Sequence, residues 1–372
     1  MNTPRLFACF LAAACAAGAL AGPLTPPGAP APTMKTIEEA EPRAFISQAD
    51  VPFTITKPGS YYLSENLFPV GVGGPFVIRI VADNVTLDLR GFAIFGATEV
   101  ATALDGVLVD PDVENATIHN GAISFCLDHG VNADGASFVT ISSMGVSRSG
   151  DDGVVVGSGA VIRDSHFYRN GGRGVLATGV GGAIENSVAE NNSTGFFTAD
   201  GMAVSNSTAS LNSFGFFVGD GATLENCAAI ENTQRGFGGG PAVFMHCTAT
   251  RNGIDGFNTS AGSRLYNCTA DQNQSNGFRL PGDSHARDCS ANANGLNGFA
   301  VATQDNRLDA CSAYENGTNG FSVTGSGNLL VRSSAGDNTG SNFNIGAGNL
   351  VGPIVTPANI AVSANPHANY EQ

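Results

Sequence analysis

The chain has 372 residues and a formal net charge of −15, and only 17 of its residues are Lys or Arg. Nucleic-acid-binding proteins present a basic surface, so this composition excludes that class of partner. After the N-terminal segment no stretch reaches about 18 consecutive apolar residues, and we expect no membrane-spanning helix.

The first 21 residues have the pattern of a secretory signal peptide. Arg5 precedes an apolar run over residues 6–20, and Ala19-Leu20-Ala21 matches an A-x-A cleavage site. The sequence therefore predicts an exported protein, which would be periplasmic, on the cell surface or extracellular. A lipoprotein attached through Cys15 is the less favoured alternative.

Three further segments flank or connect the main body of the chain. Residues 22–33 are rich in Pro and are predicted to be an extended linker. Residues 34–76 are predicted to form an N-terminal cap, because an uncovered coil would leave a sheet edge open to association. Residues 346–372, which contain three prolines, are predicted to cap the other end for the same reason.

Residues 77–345 are repetitive, with a period of about 21 residues that is clearest from residue 153 to residue 342. Each repeat has a Gly followed by a hydrophobic residue, usually Phe, at Gly174, Gly195, Gly215, Gly236, Gly256, Gly277, Gly298 and Gly320. An Asn precedes each Gly, from Asn170 to Asn338. Two small-residue columns, one Ser or Cys and one Ala, are spaced by two and therefore share a face of a strand.

This pattern predicts stacked units that cannot bury their apolar faces alone. The period is too short for helical-hairpin repeats, which need about 33 residues or more. Gly and Asn supply the left-handed backbone of tight turns, and we expect the Phe column to stack in the core. The sequence thus predicts an all-β, single-domain, monomeric parallel β-helix of roughly twelve coils, capped at both ends.

The repeats resemble those of the right-handed parallel β-helix family, which includes pectate lyases, polygalacturonases and bacterial uronan epimerases. Residues 83–92 and residues 58–63 are also similar to the opening coil of secreted bacterial members. The resemblance covers roughly residues 35–372. It implies a single-stranded, right-handed β-helix with a polysaccharide as partner, although this fold hosts enzymes, binders and passive surface proteins alike.

Five of the cysteines form one column of the repeat: Cys227, Cys247, Cys268, Cys289 and Cys311. Neighbouring coils would place their Cα atoms about 4.8 Å apart, which a disulfide tolerates. Parallel stacked side chains rarely point at one another, and Ser occupies the same column on either side. Buried free thiols and one or two vertical disulfides are the two alternatives.

The N-terminal coils depart from the repeat at the residue before each Gly, and function in repeat proteins tends to appear where the repeat is violated. In the C-terminal coils this column holds ordinary turn formers, namely Asp255, Asn276, Asn297 and Asn319. In the N-terminal coils it reads Asp105, His129, Asp152 and Arg173, with Asp128 and Asp151 in register one residue earlier. We refer to the candidate catalytic residues as the N-terminal patch: Asp128, His129, Asp151, Asp152 and Arg173.

Two reactions on a polysaccharide fit the N-terminal patch. Residues 149–153 resemble the Gly-Asp-Asp element of polygalacturonases, which implies hydrolysis by paired carboxylates, but the companion motifs of that family are not found in order. In a lyase or epimerase, Arg173 would neutralise a uronate carboxylate while His129 or an Asp removed the C5 proton. No cofactor is required; calcium is the alternative neutralising group, held by Asp105, Asp128, Asp151 and Asp152.

A turn-forming role is the alternative for the same residues. Asp and Asn are common in turns, and an exposed pair between Asp152 and Arg173 would contribute little to stability. The absence of Trp and the acidic balance favour a non-catalytic exported surface or binding solenoid. The sequence therefore leaves two classes of function open, a polysaccharide-active enzyme and a non-catalytic solenoid.

Overall fold

The computed structural model describes residues 43–69, 74–96, 104–359 and 364–372. The predicted signal peptide, the linker and the first residues of the predicted N-terminal cap lie outside these ranges. Regular structure in the described residues is β-strand, apart from one 3-10 turn at Gln48–Asp50, which confirms the all-β fold. Within the same residues there is no helix of the length and apolarity that a membrane span requires.

The chain winds into a solenoid in which successive coils pair strand on strand, always in parallel. Face 1 is a sheet of 14 strands, one from each coil. Faces 2 and 3 join into a single sheet of 27 strands, because Thr117–Ser124 and Thr140–Ser147 run unbroken through the corner between them. About fourteen coils are present, which confirms the predicted β-helix of roughly twelve; the caps and the boundaries between caps and coils stay predictions.

The strands divide among the three faces as follows. Face 1 consists of Phe53–Ile55, Phe76–Ile80, Asp105–Val109, Val131–Ala133, Val154–Val156, Arg173–Ala177, Thr194–Phe197, Phe214–Val218, Phe237–Gly239, Phe257–Asn258, Phe278–Arg279, Phe299–Val301, Phe321–Val323 and Phe343–Ile345. Face 2 consists of Ala44–Ile46, Gly59–Leu63, Val85–Asp88, the first halves of the two long strands, Val161–Arg163, Ala183–Glu185, Ala203–Ser205, Thr223–Glu225, Val243–Met245, Arg264–Tyr266, His285–Arg287, Arg307–Asp309, Leu329–Val331 and Leu350–Val351. Face 3 consists of Ala93–Phe95, the second halves of the two long strands, His166–Tyr168, Val188–Glu190, Thr208–Ser210, Ala228–Ile230, Thr248–Thr250, Thr269–Asp271, Ser290–Asn292, Ser312–Tyr314, Ser334–Gly336, Ile354–Val355 and Asn369–Glu371.

The core of the C-terminal half is a column of stacked Phe rings on the inner side of face 1. From Phe196 to Phe343, rings of successive coils have centroids 4.6–5.3 Å apart and planes inclined by 4–17°. Burying one such side chain stabilises the fold by about 1.5–3 kcal/mol. The predicted core role of the Phe column is therefore confirmed.

A ladder of Asn side chains bonds the coils together at one corner. Oδ1 of Asn273 accepts hydrogen bonds from the backbone N–H of Asn252 at 3.0 Å and from its Nδ2 at 2.9 Å. Nδ2 of Asn252 also donates to the carbonyl of Ala229, so the amide uses both ends. This confirms the predicted Asn ladder, and a second, shorter ladder that the sequence analysis did not predict links Asn306, Asn328 and Asn349.

The cysteine column is buried and its thiols are free. Each Sγ lies 3.3–3.6 Å from the carbonyl oxygen two residues earlier in the chain, where it can donate a weak hydrogen bond. Each Sγ also lies 3.5 Å from a carbonyl oxygen of the preceding coil, so the thiols face backbone carbonyls of two coils. The structure thus corresponds to the free-thiol alternative.

Candidate functional site

The N-terminal patch lies along the edge of face 1 at which each coil enters that face. Asp105 and Arg173 begin face 1 strands, whereas His129 and Asp152 occupy the equivalent position two residues before theirs. Backbone hydrogen bonds between successive coils fix this register, from Gly106 to His129, from Gly130 to Asp152 and from Gly153 to Arg173. The four residues that the sequence analysis aligned, Asp105, His129, Asp152 and Arg173, are therefore stacked in successive coils of the structure.

Three side chains of this column bind the backbone of the next coil. Oδ1 of Asp105 accepts the N–H of His129 at 3.0 Å, and Nδ1 of His129 accepts the N–H of Asp152 at 3.2 Å. Oδ1 of Asp152 then accepts the N–H of Arg173 at 2.6 Å. Each side chain satisfies a turn N–H that would otherwise lack a partner, so the predicted turn role applies to all three.

In the C-terminal half the same column accepts the same backbone N–H groups, first with Asp255 and then with uncharged Asn side chains. Oδ1 of Asp255 accepts the N–H of Asn276 at 3.0 Å, and Oδ1 of Asn276 accepts that of Asn297 at 3.3 Å. The amide of Asn297 also donates to Asn276, which a carboxylate in that place could not do. Turn chemistry in this column is therefore compatible with neutral residues.

The two buried carboxylates of the column have no free oxygen. Oδ2 of Asp105 accepts a hydrogen bond from Asn132, and Oδ2 of Asp152 faces Nη1 of Arg173 at 3.4 Å. Burial raises the pKa of both carboxyls, and the neighbouring charges of Asp128 and Asp151 raise the pKa values of Asp105 and Asp152 further. Backbone hydrogen bonds oppose the shift at both positions, and the Arg173 guanidinium also opposes it at Asp152.

The hydrogen bond to His129 determines which ring nitrogen carries the proton. Because Nδ1 accepts the N–H of Asp152, the neutral imidazole carries its proton on Nε2, which lies 3.6 Å from Oδ1 of Asp128. A metal at Nε2 would have to displace that proton. The ring is thus suited to orienting Asp128 rather than to binding a cation.

Asp128 and Asp151 are the carboxylates of the patch that face solvent. They lie in register in adjacent coils, because the N–H of Asp151 donates to the carbonyl of Asp128. With His129 and one buried carboxylate each, they form two groups whose potential ligand atoms lie within 4.8 Å of one another. Calcium takes about six to eight oxygen ligands, so a calcium ion here would need most of its ligands from a bound substrate.

Gly172 keeps space open for the acidic groups, and the sequence analysis did not identify it. A Cβ at this position would collide with Oδ1 of Asp151 and Oδ1 of Asp152. Gly172 follows Asp151 in the stack, since its N–H donates to the carbonyl of Asp151. The paired glycines at 171–172, one coil after the paired aspartates at 151–152, are the sequence signal for this feature.

A pair of outward-facing aromatic rings, one half-buried and one exposed, lies beside the patch, and it too was missed. Phe197 and Phe217 stack with centroids 5.0 Å apart on the outer side of face 1, and the side chain of Phe217 is 38% exposed. The guanidinium of Arg173 lies 4.8 Å from the Phe197 ring centroid. The signal is the doubled Phe after Gly195 and Gly215, because alternation along a strand turns the second ring outward.

Comparisons with known proteins agree with this architecture. The family model described as "Right handed beta helix region" matches residues 105–252 and 160–290, which together span half of the chain. A solved periplasmic alginate epimerase superposes with a TM-score of 0.50 at 10% identity, covering 88% of this chain and 84% of that one. The A-module of a mannuronan C-5 epimerase of Azotobacter vinelandii gives 0.44 at 16% identity, over 79% and 89% of the two chains.

A tailspike protein of an E. coli bacteriophage, solved with a pentasaccharide, gives a TM-score of 0.47 at 13% identity, over 84% of this chain and 72% of that one. At these identities the likeness is one of fold. No curated protein sequence matches the chain.

Proposed function

The chain belongs to the right-handed parallel β-helix family, and from this premise we propose that it acts on a polysaccharide through the N-terminal patch. The observation that carries the proposal is the pair of solvent-facing carboxylates, Asp128 and Asp151, in adjacent coils beside a guanidinium. Neither of these two side chains accepts a hydrogen bond from a backbone N–H of the next coil among the described residues. They are therefore available to exchange protons with a substrate, whereas the buried Asp152 is not.

In the hydrolytic form of the proposal, Asp128 and Asp151 share the acid and base roles. One carboxyl protonates the leaving oxygen of the glycosidic bond while the other activates water. Arg173 binds an anionic or hydroxyl group of the sugar through its fork of N–H donors, and Asp152 holds the guanidinium in place. His129 orients Asp128 through Nε2.

A lyase or epimerase is the second candidate, and the position of Arg173 favours it. The side chain is 36% exposed and lies at the start of a face 1 strand, where it can meet a uronate carboxylate. Neutralising that carboxylate would lower the barrier to removal of the C5 proton. Asp128 or Asp151 is the base in this version, because His129 keeps its proton on Nε2.

The outward-facing Phe pair supports a carbohydrate as the ligand. Sugars pack their C–H faces against aromatic rings, and Phe197 and Phe217 present such a surface next to Arg173. We also propose that the protein is exported, as the N-terminal pattern predicts.

The test is a product screen with the full chain and an Asp128→Asn/Asp151→Asn variant on neutral and uronic polysaccharides, with and without calcium. Mass spectrometry reports hydrolysis, absorbance of unsaturated uronates reports a lyase, and NMR reports C5 inversion. Asp337→Asn serves as the control, since it makes the same change at an exposed carboxylate of the C-terminal coils. Turnover by the parent and the control but not by the double variant is the expected result.

Equal turnover by the parent and the double variant would contradict the proposed site. No turnover by any folded protein would support the non-catalytic solenoid instead.

A further inference from the structure

A recess opens on face 1 in the C-terminal half, across four successive coils. Its volume is about 340 Å³. The residues that carry the argument are Arg235, Asn258, Thr259, Arg279, Ala300 and Ala302. It is separate from the N-terminal patch, whose last member, Arg173, lies three coils earlier and about 14 Å away at a spacing of about 4.8 Å per coil.

The recess exists because the outer column of face 1 loses its large side chains. The strand register places Phe217, Gly238, Asn258, Arg279 and Ala300 in this column, one per coil. Gly238 has no side chain and Ala300 has only a methyl group. Arg279 therefore stands above open space rather than against a packed neighbour.

Two arginine side chains line this recess, and the carboxylate in register with Arg235 one coil on, Asp255, accepts its hydrogen bonds from Asn258 and Asn276 instead. Among the described residues, neither Arg235 nor Arg279 has an ion-pair or hydrogen-bond partner for its guanidinium. Other arginines of the chain do: Arg307 and Arg332 both pair with the buried Asp309. Arg163 and Arg264 also lack an ion pair among the described residues, but Arg235 and Arg279 are the two that line this recess together.

The recess also contains buried donors that lack an acceptor. Nε of Arg235 is buried and has no hydrogen-bond partner. Thr259 is only 6% exposed, and its hydroxyl has no partner either. Thr198, in the same column three coils earlier, has an unpaired hydroxyl too, so the stronger indication is Arg235. Folded proteins pair almost all of their buried polar groups, so its Nε beside a recess calls for an acceptor from solvent or from a bound anion.

We propose that this recess is a binding site for an oxyanion: a carboxylate, sulfate or phosphate group. Guanidinium forks match the planar or tetrahedral oxygens of such groups and can bond to them bidentately. Arg235 and Arg279 supply the charge, while the hydroxyl of Thr259 supplies a further donor. The anion can be a free inorganic ion or a substituent of a saccharide that lies along face 1.

The site is tested by calorimetric titration of the full chain, in low-salt buffer free of competing anions, with four probes. These are inorganic phosphate, inorganic sulfate, a galacturonate trisaccharide and neutral maltotriose. We expect one anion per chain, with Arg235→Ala and Arg279→Ala each weakening binding about tenfold or more, because each removes charged donors. Ala302→Glu, which places a carboxylate at the recess without removing an arginine, is expected to abolish binding. Arg264→Ala is the control, since it removes an equal charge on face 2.

The choice among sources follows from the probes. Binding of phosphate or sulfate alone assigns the site to a free ion, whereas tighter binding of the trisaccharide assigns it to a saccharide substituent. Absence of binding by all three anions would overturn the proposal, as would equal weakening by Arg264→Ala. The Asp128→Asn/Asp151→Asn variant is expected to retain anion binding, so the site stands or falls independently of the proposed catalysis.

Discussion

The N-terminal and C-terminal coils solve the same backbone problem with different side chains. At the entrance to face 1, Asp105, His129 and Asp152 accept turn N–H groups that Asp255 and Asn276 accept farther along. A neutral amide performs this role at Asn276, but the buried carboxylate of Asp255 performs it as well, so the two halves differ chiefly in the two further carboxylates of the N-terminal coils, Asp128 and Asp151. In our proposal these two carboxylates are the functional difference between the two halves.

The strongest challenge to this comparison is to neutralise the two solvent-facing carboxylates. Asp128→Asn/Asp151→Asn should lower turnover by about 10²–10⁴-fold, the usual contribution of positioned proton transfer. The free energy of unfolding should hardly change, because neither side chain caps the next coil. Rates come from the product screen and stability from chemical denaturation. A large loss of stability would mean that both residues belong to the framework.

A second pair of variants tests whether the two halves of the column are equivalent. Asp152→Ala and Asn276→Ala each leave the next N–H without its acceptor and should each lower the free energy of unfolding by about 1–3 kcal/mol. Asp152→Asn should preserve most of the stability, since an amide fills this role at Asn276. Urea denaturation measures all three. If Asp152→Asn destabilised the fold as much as Asp152→Ala, the column would not be equivalent along its length.

Gly172→Ala is expected to have a smaller and more local effect. The added methyl group pushes the carboxylates of Asp151 and Asp152 out of place, and we expect turnover to fall about tenfold, as misplacement of catalytic groups costs rate. Gly145→Ala is the control, because a Cβ at Gly145 meets open space. Steady-state kinetics on the substrate found in the screen measure both. Unchanged kinetics in Gly172→Ala would argue that the carboxylates need no fixed position.

The smallest expected effect is on the pH dependence of stability. The pKa of Asp152 is raised by burial, so the folded state binds its proton more tightly than the unfolded state does. Asp152 therefore contributes fully to the free energy of unfolding at pH values below its pKa in the unfolded chain. This contribution is lost as the pH rises through its higher pKa in the folded chain. Asp309 provides the opposite case. Burial raises the pKa of its carboxyl, but Arg332 and Arg307 lower it to a greater extent, so its stabilisation is lost as pH falls through the folded pKa.

Unfolding free energies measured in citrate and acetate buffers across the acidic range should therefore depend less on pH above the unfolded pKa in Asp152→Asn than in the parent. Asp309→Asn should instead reduce the loss of stability at the most acidic end. If the unfolding free energy of Asp152→Asn depended on pH as that of the parent does, the Asp152 carboxyl of the parent would have the same pKa in the folded and the unfolded chain.

Most of the fold could be predicted because the repeat places the same type of residue at the same structural position in many coils. The Asn and Phe columns recur in almost every C-terminal coil, and the structure places each in the predicted ladder or stack. Features that occur once or twice were missed. Two examples are the outward stack of Phe197 on Phe217 and the space that Gly172 leaves for the carboxylates. Both depend on neighbours one coil away, and only the three-dimensional register reveals them.

The candidate site was only partly readable for a related reason. Sequence register brought Asp128, Asp151 and Arg173 together, but it could not distinguish carboxylates that cap the backbone from those that face solvent. That distinction depends on side-chain direction, which also fixes the proton on Nε2 of His129. The unpaired Nε of Arg235 could not be predicted either, because the sequence does not show that Asp255, in register one coil on, accepts hydrogen bonds from Asn258 and Asn276 instead.

The uniform spacing of the coils fixes the distances between side chains that lie on different coils. Distances along face 1 change only in whole steps of about 4.8 Å, and each coil contacts only its neighbours. Excising one coil, for example from Phe196 to the residue before Phe216, would bring Arg173 one step closer to Arg235 and put Phe217 in the place of Phe197 beside Arg173. If one polymeric ligand binds both Arg173 and Arg235, the shortened protein should prefer a ligand that is shorter by about the same distance. Gain or loss of a coil can therefore adapt such a protein in evolution to a longer or shorter polymer.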